Sequence, residues 1–260
     1  MDDQAILQYA AAHWREMRVV GSGTHTCGIL ETPEGPVFVK RQALEDNALS
    51  PFWARMKRLF GWSFSGQRNC LEQTVRAMAT PYIPAARDIG SVEEEKLCVF
   101  QVMPGNPWES DRFPDSAAIA RQLGLFTGSR HIRVYDHCGL VGGKEITDFP
   151  ARLRKYVADL HAQGRKIPPE VRRCLVDGLR SREYVPIMTD FSANQFLFDG
   201  EKITACVDLD ACVLGPRSWE LAMIEDTVPD MAAFRQGYEE YLPYPENPDE
   251  IALFRFLMAE

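Results

Sequence analysis

Hydrophobic and polar positions follow two rhythms along this 260-residue chain, and the change falls just past residue 100. Before it, short β-prone runs dominate: Val19-Val20, Cys27–Leu30, Val37–Val39, Ile83–Ile89 and Leu97–Val102. Bounded by Gly21-Ser22-Gly23, Pro33-Glu34-Gly35 and the acidic turn 93–96, they predict strands. Residues 4–17, with Ile6, Leu7, Ala10 and Trp14, predict an amphipathic helix, and so do residues 67–79, with Leu71, Val75 and Met78. From Ser116 onward the apolar spacing becomes three and four, predicting helices over 117–126, 149–163, 168–179, 219–224, 234–241 and 251–258. One β-like interruption breaks that run. Phe196–Phe198 and Ile203–Val207 flank Asp199-Gly200, a hairpin signal.

The hairpin organises the candidate chemistry. Asp190 precedes its first strand and Asp208 follows its second, so closing the hairpin brings two carboxylates to one end. Such a pair suits a site where one acid orients a hydroxyl and the other holds a divalent cation. Near the amino terminus the order is strand, glycine loop, strand, turn, strand, with Lys40 ending the third strand. Glycines let backbone N–H groups approach phosphate oxygens without a Cβ in the way. Alone, Gly-Ser-Gly reads equally as a hairpin turn; Lys40 at that remove tips it toward phosphate. A dinucleotide fingerprint is excluded, because that loop must lead into a helix and this one leads into a strand.

Charge and composition narrow the classes. A net charge of −8 argues against general nucleic-acid binding. No apolar run reaches eighteen residues, so no transmembrane segment is expected, and the acidic start lacks the basic region of a secretory signal. Seven scattered cysteines without a C-x-x-C pair predict free thiols and a cytoplasmic setting. From Asp199 onward fourteen acids face four bases. The segment 50–66 instead interleaves Phe52, Trp53, Phe60, Trp62 and Phe64 with Arg55, Lys57 and Arg58. Such a segment can lie on an anionic membrane surface, placing the protein peripherally at the inner membrane face. Its alternative is a helix with aromatics packed inward and a solvated basic face. His131 and His137, in a glycine-rich stretch, are candidates to line an acceptor site or to be solvated loop residues.

The run from Val185 to Leu221, VPIMTDFSANQFLFDGEKITACVDLDACVLGPRSWEL, resembles the catalytic and metal-binding segment of protein-kinase-like small-molecule phosphotransferases. Aminoglycoside and choline kinases belong there, with the lipopolysaccharide-core sugar kinases, whose basic N-lobe segment is similar to 50–66. Asp190 falls on the catalytic Asp of that family and Asp208 on its metal-binding Asp. The trailing GPRSWELA is similar to its G-D-P-x-x-D-L-A. Met188 stands where the loop His is usual, Ser192 where Lys is common, and Gln195 at the Asn position, with Asn194 one residue early.

The resemblance implies an α+β, two-lobed protein-kinase-like fold. A small antiparallel-sheet N-lobe would span 1–103 and a mainly helical C-lobe 104–260, with the catalytic hairpin over 187–210. It implies an ATP- and Mg2+-dependent transfer of the γ-phosphate to a hydroxyl of a small molecule or glycolipid sugar. Gly21, Ser22 and Gly23 would cover the phosphates, and Lys40, fixed by Glu72, would hold them. Backbone groups from Gln101 to Met103 would meet the adenine edge. Asp208 with Gln195 or Asn194 would bind the metal, and Asp190 would orient the acceptor. Asp210 is a lesser candidate. The altered loop leaves a second reading open, a weak or inactive kinase-fold protein that binds a nucleotide or a partner.

Overall fold

The structure, a computed structural model, describes residues 2–45, 49–179 and 183–259. Helix α1 (Asp3–His13) starts on Asp2, whose carboxylate accepts a bond from the Gln4 N–H at 3.1 Å. Then come β1 (Arg18–Ser22), β2 (His25–Thr32) and β3 (Gly35–Gln42), joined later by β4 (Asp88–Val92) and β5 (Leu97–Gln101). Among the described residues they form one antiparallel sheet in the order β1-β2-β3-β5-β4. Strand side chains alternate between faces. Val37 and Val39 of β3 and Leu97 and Val99 of β5 therefore pack with Ile6 and Ala10 of α1. The other face carries Phe38, Cys98 and Phe100, which meet Met103 and Val207. Covered on both sides, β5 shows no polar alternation. By the same period Lys40 lies on the face of Phe38, away from α1.

The segment between β3 and β4 folds as α2 (Pro51–Phe60), α3 (Phe64–Asn69) and α4 (Leu71–Met78). One helix was expected over 67–79; the chain instead breaks at Cys70, which leaves helical geometry at φ −102°. Trp53, Phe60, Trp62 and Phe64 are buried in a core shared with Phe149 and Trp219, while Lys57 and Arg58 face solvent. The aromatics that would have entered a membrane interface are thus inside the protein, and the membrane-surface reading of 50–66 loses its apolar half. Packing also joins α2–α4 to the helical lobe, although they lie within the first 103 residues. The strand expected from Ile83 begins at Asp88, because residues 84–86 pair with Cys206 instead.

Past Gln101 the chain leaves the sheet. It forms β6 (Asn106–Pro107), then α5 (Ala117–His131), α6 (Phe149–Ala162), α7 (Pro169–Asp177) and β7 (Val185–Met188). The hairpin is β8 (Phe196–Phe198) and β9 (Ile203–Cys206), followed by β10 (Cys212–Gly215), α8 (Arg217–Thr227), α9 (Met231–Tyr238) and α10 (Pro248–Met258). In the hairpin turn the Asp199 carboxylate accepts from the N–H groups of Glu201 and Lys202, and Gly200 takes φ 100°. Helices α5 and α9 approach closely through glycines. A Cβ on Gly124 would lie 2.1 Å from the Phe234 carbonyl oxygen, so only glycine fits there. Helix α5 runs to His131, five residues beyond the expected Phe126, and His131 is wholly buried. Its ring nitrogens face Glu220 and Tyr238 inside the protein, so it is not a solvated loop residue. His137 is half-buried beside Asp136. The seven cysteines are free thiols, and among the described residues no helix is long and apolar enough to cross a membrane.

Candidate active site

Two antiparallel pairings set the site. Strand β7 pairs with β10, placing Met188 opposite Cys212, and β8 pairs with β9, placing Phe196 opposite Cys206. The connecting segments 189–195 and 207–211 therefore meet at the strand ends. The Thr189 hydroxyl donates to the Ala211 carbonyl at 2.8 Å, and the Val207 N–H to the Gln195 carbonyl at 3.0 Å. Lys40 enters from the sheet. Its Nζ lies 2.8 Å from Asp208 Oδ1 and 2.5 Å from Asp210 Oδ2, and His25 Nδ1 lies 3.3 Å from that same Oδ2. The early-strand lysine and the hairpin acids thus meet across the junction of sheet and helices.

The electrostatics follow from burial and these neighbours. Burial would lower the Lys40 pKa, but Asp208 and Asp210 outweigh it and raise it well above the ordinary lysine value. Burial pushes the Asp208 carboxyl up, and the Lys40 ammonium more than cancels this, leaving it lowered. At Asp190 the Lys40 charge pulls downward but is outweighed. Burial first, then the charges of Asp208 and Asp210, hold its carboxyl well above the usual range. Burial likewise lowers His25, although Asp210 pulls the other way.

Two buried oxygens here have no hydrogen-bond partner, Asp190 Oδ1 and Gln195 Oε1. Buried acceptors are almost always paired, so this pair marks a place for a donor or a cation. The Gln195 amide lies 3.4 Å from Asp190 Oδ2 and leaves its own oxygen available. Asp208 with Gln195 is an oxygen donor set that suits Mg2+, which takes one or two protein carboxylates and completes its shell with water and phosphate. Among the described residues no three His, Cys, Asp or Glu side chains form a metal cage, and Mg2+ bound this way needs none.

Other expected positions differ. Asn194 donates to Asp111 Oδ1 at 2.7 Å and accepts from the Ser192 hydroxyl, so both ends of its amide are engaged away from the acids. Glu72 does not pair with Lys40. It is 70% exposed and binds Arg76 one turn along α4, because that helix turns its apolar stripe inward. Gln101 gives its N–H to the Arg87 carbonyl at 3.0 Å, so its donor belongs to the sheet. Met103 is half-buried against Phe38, Phe100 and Val207. Gly21 and Ser22 end β1, Gly23 opens the turn to β2, and the space where a Cβ would stand on either glycine is empty. Thr24, at the turn, accepts from the Trp53 indole at 3.1 Å.

Sequence reasoning missed the cluster that braces the loop. The Glu220 carboxylate of α8 accepts from the Met188 N–H at 2.8 Å and from Arg130 at 3.0 Å, and it lies 2.8 Å from His131 Nε2. Arg130 also donates to the Pro186 carbonyl, and the Tyr238 hydroxyl meets His131 Nδ1 at 3.0 Å. A loop histidine is absent at 188, and the backbone of β7 is gripped instead. The one sequence signal was the glutamate of GPRSWELA. Asp210 was only a lesser candidate, and His25 and Asp111 were unassigned, since only tertiary contacts give them partners.

Comparison with solved structures finds the same two-lobed fold. A macrolide 2′-phosphotransferase of Brachybacterium faecium, MphH, superposes with a TM-score of 0.60 at 16% identity, covering 98% of this chain and 88% of its own. The aminoglycoside phosphotransferase APH(4)-Ia does so at 0.60 and 14% identity, with the same coverage of 98% and 88%. APH(2″)-IIa, in a ternary complex with streptomycin and ATP, gives 0.58 at 12% identity over 97% and 88%. No curated protein matches the sequence. The profile of the phosphotransferase enzyme family, however, matches residues 70–254, a stretch that holds every carboxylate of this site, and the chain belongs to that family.

Proposed function

We propose that this protein transfers the γ-phosphoryl group of ATP, with Mg2+, to a hydroxyl group of a small molecule. The observation that carries this reading is the convergence of Lys40 with Asp208 and Asp210 at the lobe junction, beside the unpartnered oxygens of Asp190 and Gln195. Phosphoryl transfer asks a protein mainly to position groups and neutralise charge. Lys40 is held protonated and reaches the junction from the sheet, where it would bind phosphate oxygens. The β1–β2 turn would lie over those phosphates, with the open side of Gly21 and Gly23 toward them. Phe38, Phe100, Met103 and Val207 offer an apolar face to the base. Asp208 and Gln195 would hold the cation, which when bound supplies charge neutralisation to the phosphates. Asp190, with its raised pKa and its Oδ2 near the Gln195 amide, is suited to take the acceptor's proton.

A soluble acceptor is favoured over a membrane glycolipid, because the aromatics of 50–66 are inside the core. The macrolide and aminoglycoside enzymes of the same fold support a small molecule. The inactive alternative is disfavoured by Gln195, whose buried free oxygen is where a metal ligand is needed. Calorimetric titration with ATP, with and without Mg2+, tests the reading first. Mass spectrometry on a panel of hydroxylated small molecules tests it next. A product heavier by one phosphoryl group is expected. An adenylated product, or no nucleotide binding, would overturn the assignment.

A further inference from the structure

On the phosphotransfer reading, Lys40 needs a fixed carboxylate to hold it while Asp208 serves a cation. We propose that Asp210 is that positioning residue, holding Lys40 from the far end of the hairpin in place of a helix glutamate.

The two acids on Lys40 differ in their surroundings. The Asp208 side chain is 40% exposed and the Asp210 side chain 9%. The open acid can exchange Lys40 for a cation and its water; the enclosed one cannot do so without uncovering itself. Asp210 is also anchored on several sides. Its carbonyl accepts from the Trp62 indole at 2.9 Å, which fixes it to the elbow between α2 and α3. Its carboxylate meets His25 at the start of β2, beside the glycine turn. One residue therefore ties Lys40 and the start of β2 through its side chain and the α2–α3 elbow through its backbone.

Among the described residues the helix side offers Lys40 no acid. On the face of β3 that carries Lys40, the next residue is Gln42, whose side-chain oxygen accepts from Arg68 of α3 at 2.6 Å. Arg68 itself pairs with Glu93 at 2.7 Å. The helix beside the strand lysine thus brings a cation, and the Glu72 carboxylate points to solvent with Arg76. A lysine side chain loses rotamer entropy when it is fixed, so an anchored partner preorganises it before any phosphate arrives.

The test reads Lys40 first in the nucleotide-free protein. Acylation of its amine by acetic anhydride, followed by mass spectrometry, is compared in the wild type, Asp210→Asn, Asp210→Ser and Glu72→Gln. Loss of Asp210 is expected to speed labelling several-fold, because the amine loses the enclosed carboxylate that immobilises it. Glu72→Gln is expected to label as the wild type does. Circular dichroism identifies any variant that fails to fold, and the serine variant stands in if the asparagine does. ATP hydrolysis then separates the roles. Asp210→Asn should lower kcat with an unchanged Mg2+ half-saturation, and Lys40→Ala/Asp210→Asn should be no slower than Lys40→Ala alone. Equal labelling in Asp210→Asn and wild type overturns the proposal. So does a shifted Mg2+ requirement in Asp210→Asn, which would make Asp210 a metal ligand. A wild type that binds no ATP, with Lys40 labelling as expected, would instead overturn the phosphotransfer reading and leave the Asp210–Lys40 pairing standing.

Discussion

Two ionic clusters flank the Asp190 loop, and they are built to opposite ends. In the brace, Arg130, Glu220 and His131 are wholly buried, and both Glu220 oxygens have partners. At the lobe junction, Asp208 is partly open, and Asp190 and Gln195 each keep a buried oxygen without one. The first cluster holds backbone, with only Arg130 Nε left without a partner; the second, on the proposed reading, keeps two acceptor oxygens for a ligand. The pKa directions agree. Glu220 is lowered, because Arg130 and His131 outweigh burial, whereas Asp190 is raised by burial and by neighbouring acids. One cluster adds to stability as charged groups, and the other holds a charge at a cost to it.

The sharpest way to break this contrast is Asp190→Asn. If Asp190 takes the acceptor's proton, turnover should fall by about 10²–10⁴-fold, the usual worth of a positioned base. The same change should stabilise the fold at neutral pH. A carboxyl whose folded pKa is raised contributes stability that is complete below its ordinary value of 3.8 and is lost as pH rises through the raised one. Removing that charge should therefore raise the unfolding free energy at pH 7 by about 0.5–2 kcal/mol, the scale on which relaxing a functional site stabilises a protein. Chemical denaturation beside a turnover assay checks both signs, and a destabilised Asp190→Asn would erase the distinction.

Glu220→Gln tests the other cluster. It leaves Arg130 buried without its counter-charge, for which about 3–5 kcal/mol is expected. Because the folded pKa of Glu220 is depressed, its contribution is present above its ordinary value of 4.5 and disappears as pH falls through the lower folded value. The wild type should lose stability below about pH 4.5, where that glutamate begins to protonate in the unfolded chain, and the variant should show a shallower acid limb in denaturation curves. Tyr238→Phe gives the smallest effect. It removes only the hydroxyl facing His131, and a loss of about 1–3 kcal/mol follows from leaving that buried nitrogen without a partner. Nucleotide affinity should be unchanged in Tyr238→Phe, since the hydroxyl lies in the brace and not at the junction; a changed affinity would mean that the two clusters are coupled.

Much of this was readable from local pattern. Alternation over Val37–Val39 and Leu97–Val102, the Asp199-Gly200 turn and the i, i+3, i+4 stripes named the elements, because side-chain period and turn chemistry act over a few residues. The run around Asp190 and Asp208 pointed to the family by resemblance, and the strand register then had to bring those acids together. Partner choice was not local. Glu72 was the only acid on the expected helix, yet α4 faces its apolar stripe inward and leaves that carboxylate in solvent. Asn194 and Gln195 are neighbours in sequence, and only the contact of Asn194 with Asp111 decided which amide oxygen stays free. The aromatics of 50–66 suit a core or a membrane by pattern alone, and the packing of α2 against α6 puts most of them in the core. The sequence by itself determined most of the elements and offered the candidate acids. The tertiary structure decided which charge meets which, since burial and pairing depend on residues far apart in the chain, as the 168-residue separation of Lys40 and Asp208 requires.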